Sequence, residues 1–291
     1  MAHRTTGTRV PDEGDERGSH ATVGSSSVTQ DYLKVVYAAE EWGNEGISIT
    51  DLAARMGVVA STASETVRRL TDQGLVTHEP YQKVHLSPEG RAAAVAMVRR
   101  HRLLETYLHE RLDFDWDEVH REAEILEHAV SDTLLEHLDR SLGYPLRDPH
   151  GDPIPAADGT WFAPPMHAVD ALGEGGSATV VRISDSSSDM LHHLETCGVV
   201  LDATLQVVRR SGAIGTTRVR VTPPASWTPR AETPAATPGE DGEPPSYEVD
   251  LGTVATAAVF VADGTVAEPT QSARHTPDRQ APPRPPSAER D

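Results

Sequence analysis

Residues 119–131, VHREAEILEHAVS, constrain this chain more than any other stretch, because they set four potential metal ligands at helical spacing. His120, Glu124, Glu127 and His128 fall at i, i+4, i+7 and i+8, which places all four on one face of an α-helix. Val119, Ala123, Leu126 and Val130 fill the neighbouring stripe and would bury that helix against a core. Carboxylates and imidazoles crowded on a half-buried face repel or desolvate one another, and a bound dication relieves both costs. A solvated polar helix face is the alternative, and the rest of the chain has to decide.

The 22 Gly, 22 Pro and 4% aromatic residues in 291 positions imply that part of the chain is linker or tail. A net charge of -19 has the wrong sign for gripping nucleic acid by bulk electrostatics, so any such contact must be local. The single cysteine, Cys197, excludes an internal disulfide framework. No stretch reads as a signal peptide or membrane span, so the expectation is a cytoplasmic protein without membrane contact.

Residues 1–27 are polar and lack apolar periodicity, as expected of a disordered tail. A first helix then carries Tyr32, Leu33, Val36, Tyr37 and Trp42 at helical intervals, with Asp31 near its start and Gly43 and Gly46 ending it. Residues 49–76 read as a helix-turn-helix: Thr50 as cap, Leu52, Ala53 and Met56 facing inward, Gly57 in the turn, and a second helix over 61–73 with Ala63, Val67 and Leu70 inside. Ser61, Thr62 and Ser64 crowd the start of that second helix, where backbone N–H groups and short hydroxyls meet phosphates. Glu65 and Thr66 would approach base edges, and Arg68 adds local positive charge. LVTHEPYQKVHLS follows as two short strands around a turn, a wing with Lys83 at its tip. Ser87 and Pro88 then open a long helix that holds His101 and Glu105 as an i, i+4 pair. Two ligand faces on consecutive helices can enclose metal between them.

In order and spacing, the stretches QDYLKVVY, ASTASETVRRL, QGLV, KVHLSPEGR, RRHRLLE, WDEVHREAEILEHAVSD and DPHGDPIP resemble the diphtheria-toxin-repressor family, and within it the manganese regulators of actinobacteria. The resemblance implies a mainly α chain with a small β part. A winged-helix DNA-binding domain (28–91) precedes a helical dimerisation and metal-binding domain (92–158). A linker (159–172) leads to a C-terminal SH3-like, FeoA-like small β-barrel (173–263) with a mobile Pro-rich insertion at 223–246, then a disordered tail (264–291). It also implies a homodimer on palindromic operator DNA, no organic cofactor, and two Mn²⁺ ions per chain, with Fe²⁺ as the alternative.

Carried over residue by residue, one site takes Asp31, Glu124, Glu127 and His128, and a second takes His101, Glu105 and His120. Iron-responsive members hold methionine at the position of Asp31 and cysteine at that of Glu124, so two soft sulfur ligands become hard oxygens here, which favours manganese. Bacillus-type manganese regulators place a further carboxylate one turn after Asp31, where this chain has Lys34, so the closely spaced metal pair of that type is not expected. The β-barrel of the iron repressors adds a carboxylate to the second site, and Asp189 is the candidate among residues 185–189. Leu126, Val130, Leu134, Leu135 and Leu138 would form the dimer surface, and 148–158 reads as a turn-rich linker. An iron-dependent repressor of the same fold, a di-metal helical enzyme and a metal buffer are the competing classes.

Overall fold

The computed structural model describes residues 26–42, 46–116, 118–213, 215–230, 232–237 and 244–264. The tails expected at 1–27 and 264–291 lie almost wholly outside that set, as does Gly43.

Helix α1 (Ser27–Glu41) is capped by Ser26, and its apolar face buries Tyr32, Leu33, Val36 and Tyr37. Helices α2 (Ile49–Arg55) and α3 (Ala60–Asp72) form the helix-turn-helix, joined through Gly57 at φ +64°. Ser48 rather than Thr50 caps α2, its hydroxyl accepting from Asp51 N. Strands β1 (Val76–Thr77) and β2 (His85–Leu86) pair antiparallel as the wing. Glu40, 4% exposed, fixes this wing to α1 by accepting from Leu86 N at 3.0 Å and from the Arg91 guanidinium.

Ser87 caps α4 (Pro88–Leu112), with proline in its first turn as expected. Packed on α4 are α5 (Val119–Leu126) and α6 (Asp132–Ser141), around Leu104, Leu108, Val119, Ala123 and Leu138. The uninterrupted helix expected over 119–131 is broken: Glu127 is the C-cap of α5, Ala129 N and Val130 N both bond Leu126 O, and Ser131 caps α6. Of the expected dimer stripe, Leu126 and Leu134 are exposed, at 39% and 49%, while Leu135 and Leu138 are buried in the chain's own core.

The C-terminal part is one antiparallel sheet. It comprises β3 (His167–Ala168), β4 (Ser177–Ile183), β5 (Thr204–Ser211), β6 (Thr216–Thr222), β7 (Tyr247–Gly252) and β8 (Val259–Ala262), in the order β3-β8-β4-β5-β6-β7. Among the described residues β3 and β7 stay at its two ends, so the barrel-like sheet is not closed by a ladder between them. Helix α7 (Ser188–Thr196) covers it, and α8 (Thr253–Ala258) lies between β7 and β8. The described part of the Pro-rich insertion is anchored: Trp227 Nε1 donates to Glu195 O at 3.2 Å, and its ring meets Tyr247 edge-on. No helix among the described residues is long and apolar enough to cross a membrane.

The turn-rich segment 148–158 is also no loose linker. Asp148, His150, Asp152 and Ile154 are 4%, 0%, 4% and 0% exposed. Asp148 Oδ1 accepts from His150 N and Asp152 N, tightening the turn. Gly151, at φ +91°, lies so close to β4 that an added Cβ would run into the Val181 carbonyl. Ile183 N donates to His150 O at 2.8 Å, so this segment delivers His150 to the seam between helices and sheet.

Candidate metal centre

The structure gathers the expected ligands into two joined groups. In the first, Asp31, Glu127 and His128 hold donor atoms within 4.8 Å of one another. His128 Nδ1 donates to Gln30 Oε1 at 2.8 Å, which turns Nε2 toward Asp31 Oδ1 at 3.0 Å. An imidazole oriented this way by a neighbouring amide is a common ligand arrangement. Burial raises the pKa of the Asp31 carboxyl, against the opposing pull of His128 and Lys34. Glu124, expected in this group, is not in it: its side chain is 51% exposed and lies 3.5 Å from His120 Nε2. Because α5 ends at Leu126, Glu124 and His128 do not share the helical face that their spacing suggests.

In the second group, His101 and Glu105 on α4 meet His120 on α5. Glu105 Oε1 accepts from His101 Nε2 at 2.9 Å and from His120 Nδ1 at 3.1 Å. His101 Nδ1 donates to Glu127 Oε2 at 2.6 Å, joining the two groups through one buried carboxylate. Burial pushes the Glu105 carboxyl up, but the charge and hydrogen bond of His101, with His120, overcome it and hold the pKa well below the usual range. His120 is pushed up to about 10, first by its hydrogen bond to Glu105 and then by Glu124. The hydrogen bond from His120 in turn takes Glu124 down to about 2.

Two further residues join this second group: His150, which sequence reasoning missed, and Asp185, at the edge of the 185–189 range in which Asp189 is the candidate. His150 and Asp185 bring donor atoms within 4.8 Å of Glu105. His150 Nε2 donates to Trp116 O at 3.1 Å, leaving Nδ1 as the lone-pair nitrogen; this atom and Glu105 Oε2 are buried and without a hydrogen-bond partner. Buried acceptors are rarely left unpaired, and these two belong to residues close enough together to hold a cation. Asp185, beyond β4, is 3.5 Å from His120 Nδ1, whereas the expected Asp189 is exposed on the first turn of α7 and joins no such cluster among the described residues. The signal for His150 was present in DPHGDPIP, where a histidine sits inside a turn; its burial was not.

At the other end of the molecule, α3 exposes Ser61, Thr62, Ser64, Glu65 and Arg68 on one side. Thr66, expected at the base edges, is instead 7% exposed and packs inward with Ala63, Val67 and Leu70. Lys83 is exposed in the wing beside Tyr81, which is fully exposed at φ +68°. Val59 precedes α3 without a side-chain cap, so the first N–H groups of the helix are not used by a cap.

A helix-turn-helix with a wing, joined to helices whose carboxylates and imidazoles converge on two places, defines a metal-responsive DNA-binding protein. Three family descriptions match in sequence: "Iron dependent repressor, N-terminal DNA binding domain" over residues 25–84, "Iron dependent repressor, metal binding and dimerisation domain" over 87–156, and "FeoA domain" over 167–224. The iron-dependent repressor IdeR of Mycobacterium tuberculosis is 32% identical over 196 residues, covering 63% of this chain and 85% of that protein. Among solved structures, a manganese-dependent transcriptional repressor in complex with manganese is 46% identical with a TM-score of 0.70, covering 81% of this chain and 99% of that one. The manganese regulator SloR is 27% identical with a TM-score of 0.61, covering 81% and 98%. The chain belongs to the iron-dependent, or diphtheria-toxin, repressor family of metal-dependent transcriptional repressors. Its members are repressors and not enzymes, which removes the di-metal enzyme reading.

Proposed function

We propose that this chain is a manganese(II)-responsive repressor that binds a palindromic operator as a homodimer and holds two ions per chain. The observation that carries the choice of metal is the chemistry of the donors. Asp31, Glu127 and His128 in one group, and His101, Glu105, His120, His150 and Asp185 in the other, offer only oxygen and imidazole nitrogen. The lone Cys197 is buried in the sheet domain, away from both. Mn²⁺ stands at the weak end of the divalent affinity order, so a site selects it by hard ligands and geometry. The 46% identical repressor described with manganese supports this assignment, while the 32% identical IdeR, named for iron, keeps ferrous iron as the rival.

A bound divalent ion would take over carboxylates that Lys34, His101 and His120 neutralise in its absence. Asp31 then fastens α1, and with it the reading head, to the end of α5, while Asp185 fastens the sheet domain to α4 and α5. The exposed Leu126 and Leu134 suit the dimer contact, and two-fold symmetry of the dimer calls for a two-fold operator. Ser61, Thr62 and Ser64 would meet phosphates, Glu65 a base edge, Arg68 and Lys83 the backbone; Thr66 supports α3 from inside. By linkage, operator DNA must tighten metal binding as much as metal tightens DNA binding.

The test is anaerobic fluorescence anisotropy of the chain on DNA from upstream of its own gene, at fixed salt, titrating Mn²⁺, Fe²⁺ and a chelator. Tight binding with Mn²⁺ that chelator reverses is expected. An equal response to Fe²⁺ would overturn the choice of metal.

A further inference from the structure

Between the two ligand groups stands a cation that the chain supplies itself. Lys34 lies one turn after Asp31 on α1, and its ammonium is 2.7 Å and 3.0 Å from the two oxygens of Glu127. The same nitrogen is 3.5 Å from His101 Nδ1 and 3.8 Å from Glu124 Oε1. Glu127 is 1% exposed and the lysine side chain 17%, so this is an enclosed ion pair rather than a surface one. A carboxylate this deeply buried stays charged only with cationic or donor partners, and Lys34 and His101 provide them.

Glu127 is also the buried carboxylate of the first group. The oxygen facing His128 Nε2, at 3.8 Å, is the Oε1 that takes the lysine at 2.7 Å. A dication seated among Asp31, Glu127 and His128 would share that oxygen with the ammonium, and two cations a few ångströms apart in a site of low dielectric repel strongly. The lysine stem is long and flexible enough to carry its charge out to water when displaced.

We propose that Lys34 is a tethered competitor for the first metal site. It neutralises Glu127 in the metal-free chain, lets go when a divalent cation is taken up, and so raises the free metal concentration at which that site fills. The ammonium also ties α1 to the end of α5 before metal arrives, doing weakly what the ion would do firmly. This inference rests on the reading that Asp31, Glu127 and His128 hold a divalent ion, and the experiment separates the two.

Metal-stripped full-length protein is titrated with Mn²⁺ alone, free Mn²⁺ being followed by electron paramagnetic resonance. The first site is the step of the isotherm that disappears in Asp31→Ala. In Lys34→Met that step should tighten by about tenfold or more, while Lys34→Arg, which keeps the charge, should stay within about threefold of the unaltered chain. The thermal midpoint of Lys34→Met in chelator should fall, because Glu127 has lost a partner. Affinity unchanged or weakened in Lys34→Met would overturn the proposal and make Lys34 a positioning residue for Glu127. A wild-type isotherm with no step sensitive to Asp31→Ala would instead sink the metal-site reading itself. Should Lys34→Met not fold without metal, the unaltered chain serves: its slowly exchanging lysine ammonium signal in nitrogen-edited NMR should be lost on saturation with Cd²⁺. Persistence of that signal would overturn the proposal equally.

Discussion

The two ligand groups differ in how ready each is for an ion. In the first, Asp31 and His128 are 36% and 25% exposed by side chain, and Lys34 already occupies Glu127. In the second, His120 and Asp185 are 40% and 33% exposed by side chain, but Glu105 and His150 are enclosed and each keeps a buried acceptor atom without a protein partner. The open group spans two domains and carries its own counter-cation. The enclosed group is built around Glu105, whose Oε1 holds two imidazoles while its Oε2 has no protein partner. The enclosed group must shed imidazolium protons to take up an ion, whereas the open group must displace an ammonium, so filling of the enclosed group depends on pH and filling of the open group on Lys34.

Glu105→Ala should strike this contrast hardest. It removes the carboxylate shared by His101, His120 and His150, and should weaken Mn²⁺ binding at the enclosed group by about 100-fold or more, as seen in calorimetric titration. Retained affinity would mean that the enclosed group is structural. Next comes Asp31→Ala, which should lower metal-dependent operator affinity by about 10-fold to 100-fold while leaving the enclosed group's affinity within about threefold. A comparable loss at both groups would show that the His101–Glu127 hydrogen bond makes them one site. Asp185→Asn should cost the enclosed group about tenfold, with Asp189→Asn as the silent control. If Asp189→Asn has the larger effect, the sheet domain contributes through α7 instead.

The smallest effect concerns pH. His120 has its pKa raised to about 10, against about 6.5 in the unfolded chain. The stability it contributes is complete below pH ~6.5 and is lost as pH rises through about 10. In chelator, the thermal midpoint should therefore drift downward from pH 7 to 10, and His120→Gln should flatten that drift. Saturating Mn²⁺ should reverse the trend over the same interval, since imidazole ligands must shed their protons to bind. A metal-free midpoint that rises with pH would contradict the His120–Glu105 pairing.

Where the determinants are local, the sequence could be read directly. Ser87-Pro88 starts α4, and the inward stripe Ala63, Val67, Leu70 sets the face of α3, because caps and helical periodicity act within a few residues. Glu127 and His128 were legible as potential ligands from their spacing and Asp31 only through the family pattern, and the structure brings the three side chains together. Glu124 lies apart from Asp31, Glu127 and His128 although E-x-x-E-H continues a helical period, because α5 ends at Leu126. The clue was Ser131, a good cap for α6 that requires a break just before it. His150 was passed over because Asp, Pro and Gly announce a turn without saying whether it faces water. Only the packing of Gly151 against β4 settles that. Asp185 lies in a loop whose partners His150, His120 and Glu105 are 35 to 80 positions earlier in the chain, beyond the reach of any local pattern.

The stacking of Trp116 on His150, with ring centroids 5.4 Å apart and planes 26° from parallel, has an optical consequence. The His150 nitrogen on the far side of the Trp116 carbonyl bond belongs to the enclosed donor set, so any change of charge there is felt by the indole it lies against. The other three tryptophans, Trp42, Trp161 and Trp227, have their ring contacts elsewhere. Trp116 is thus a native fluorophore in contact with a fully buried histidine, and its emission would report an ion taken up beside His150 without any added label.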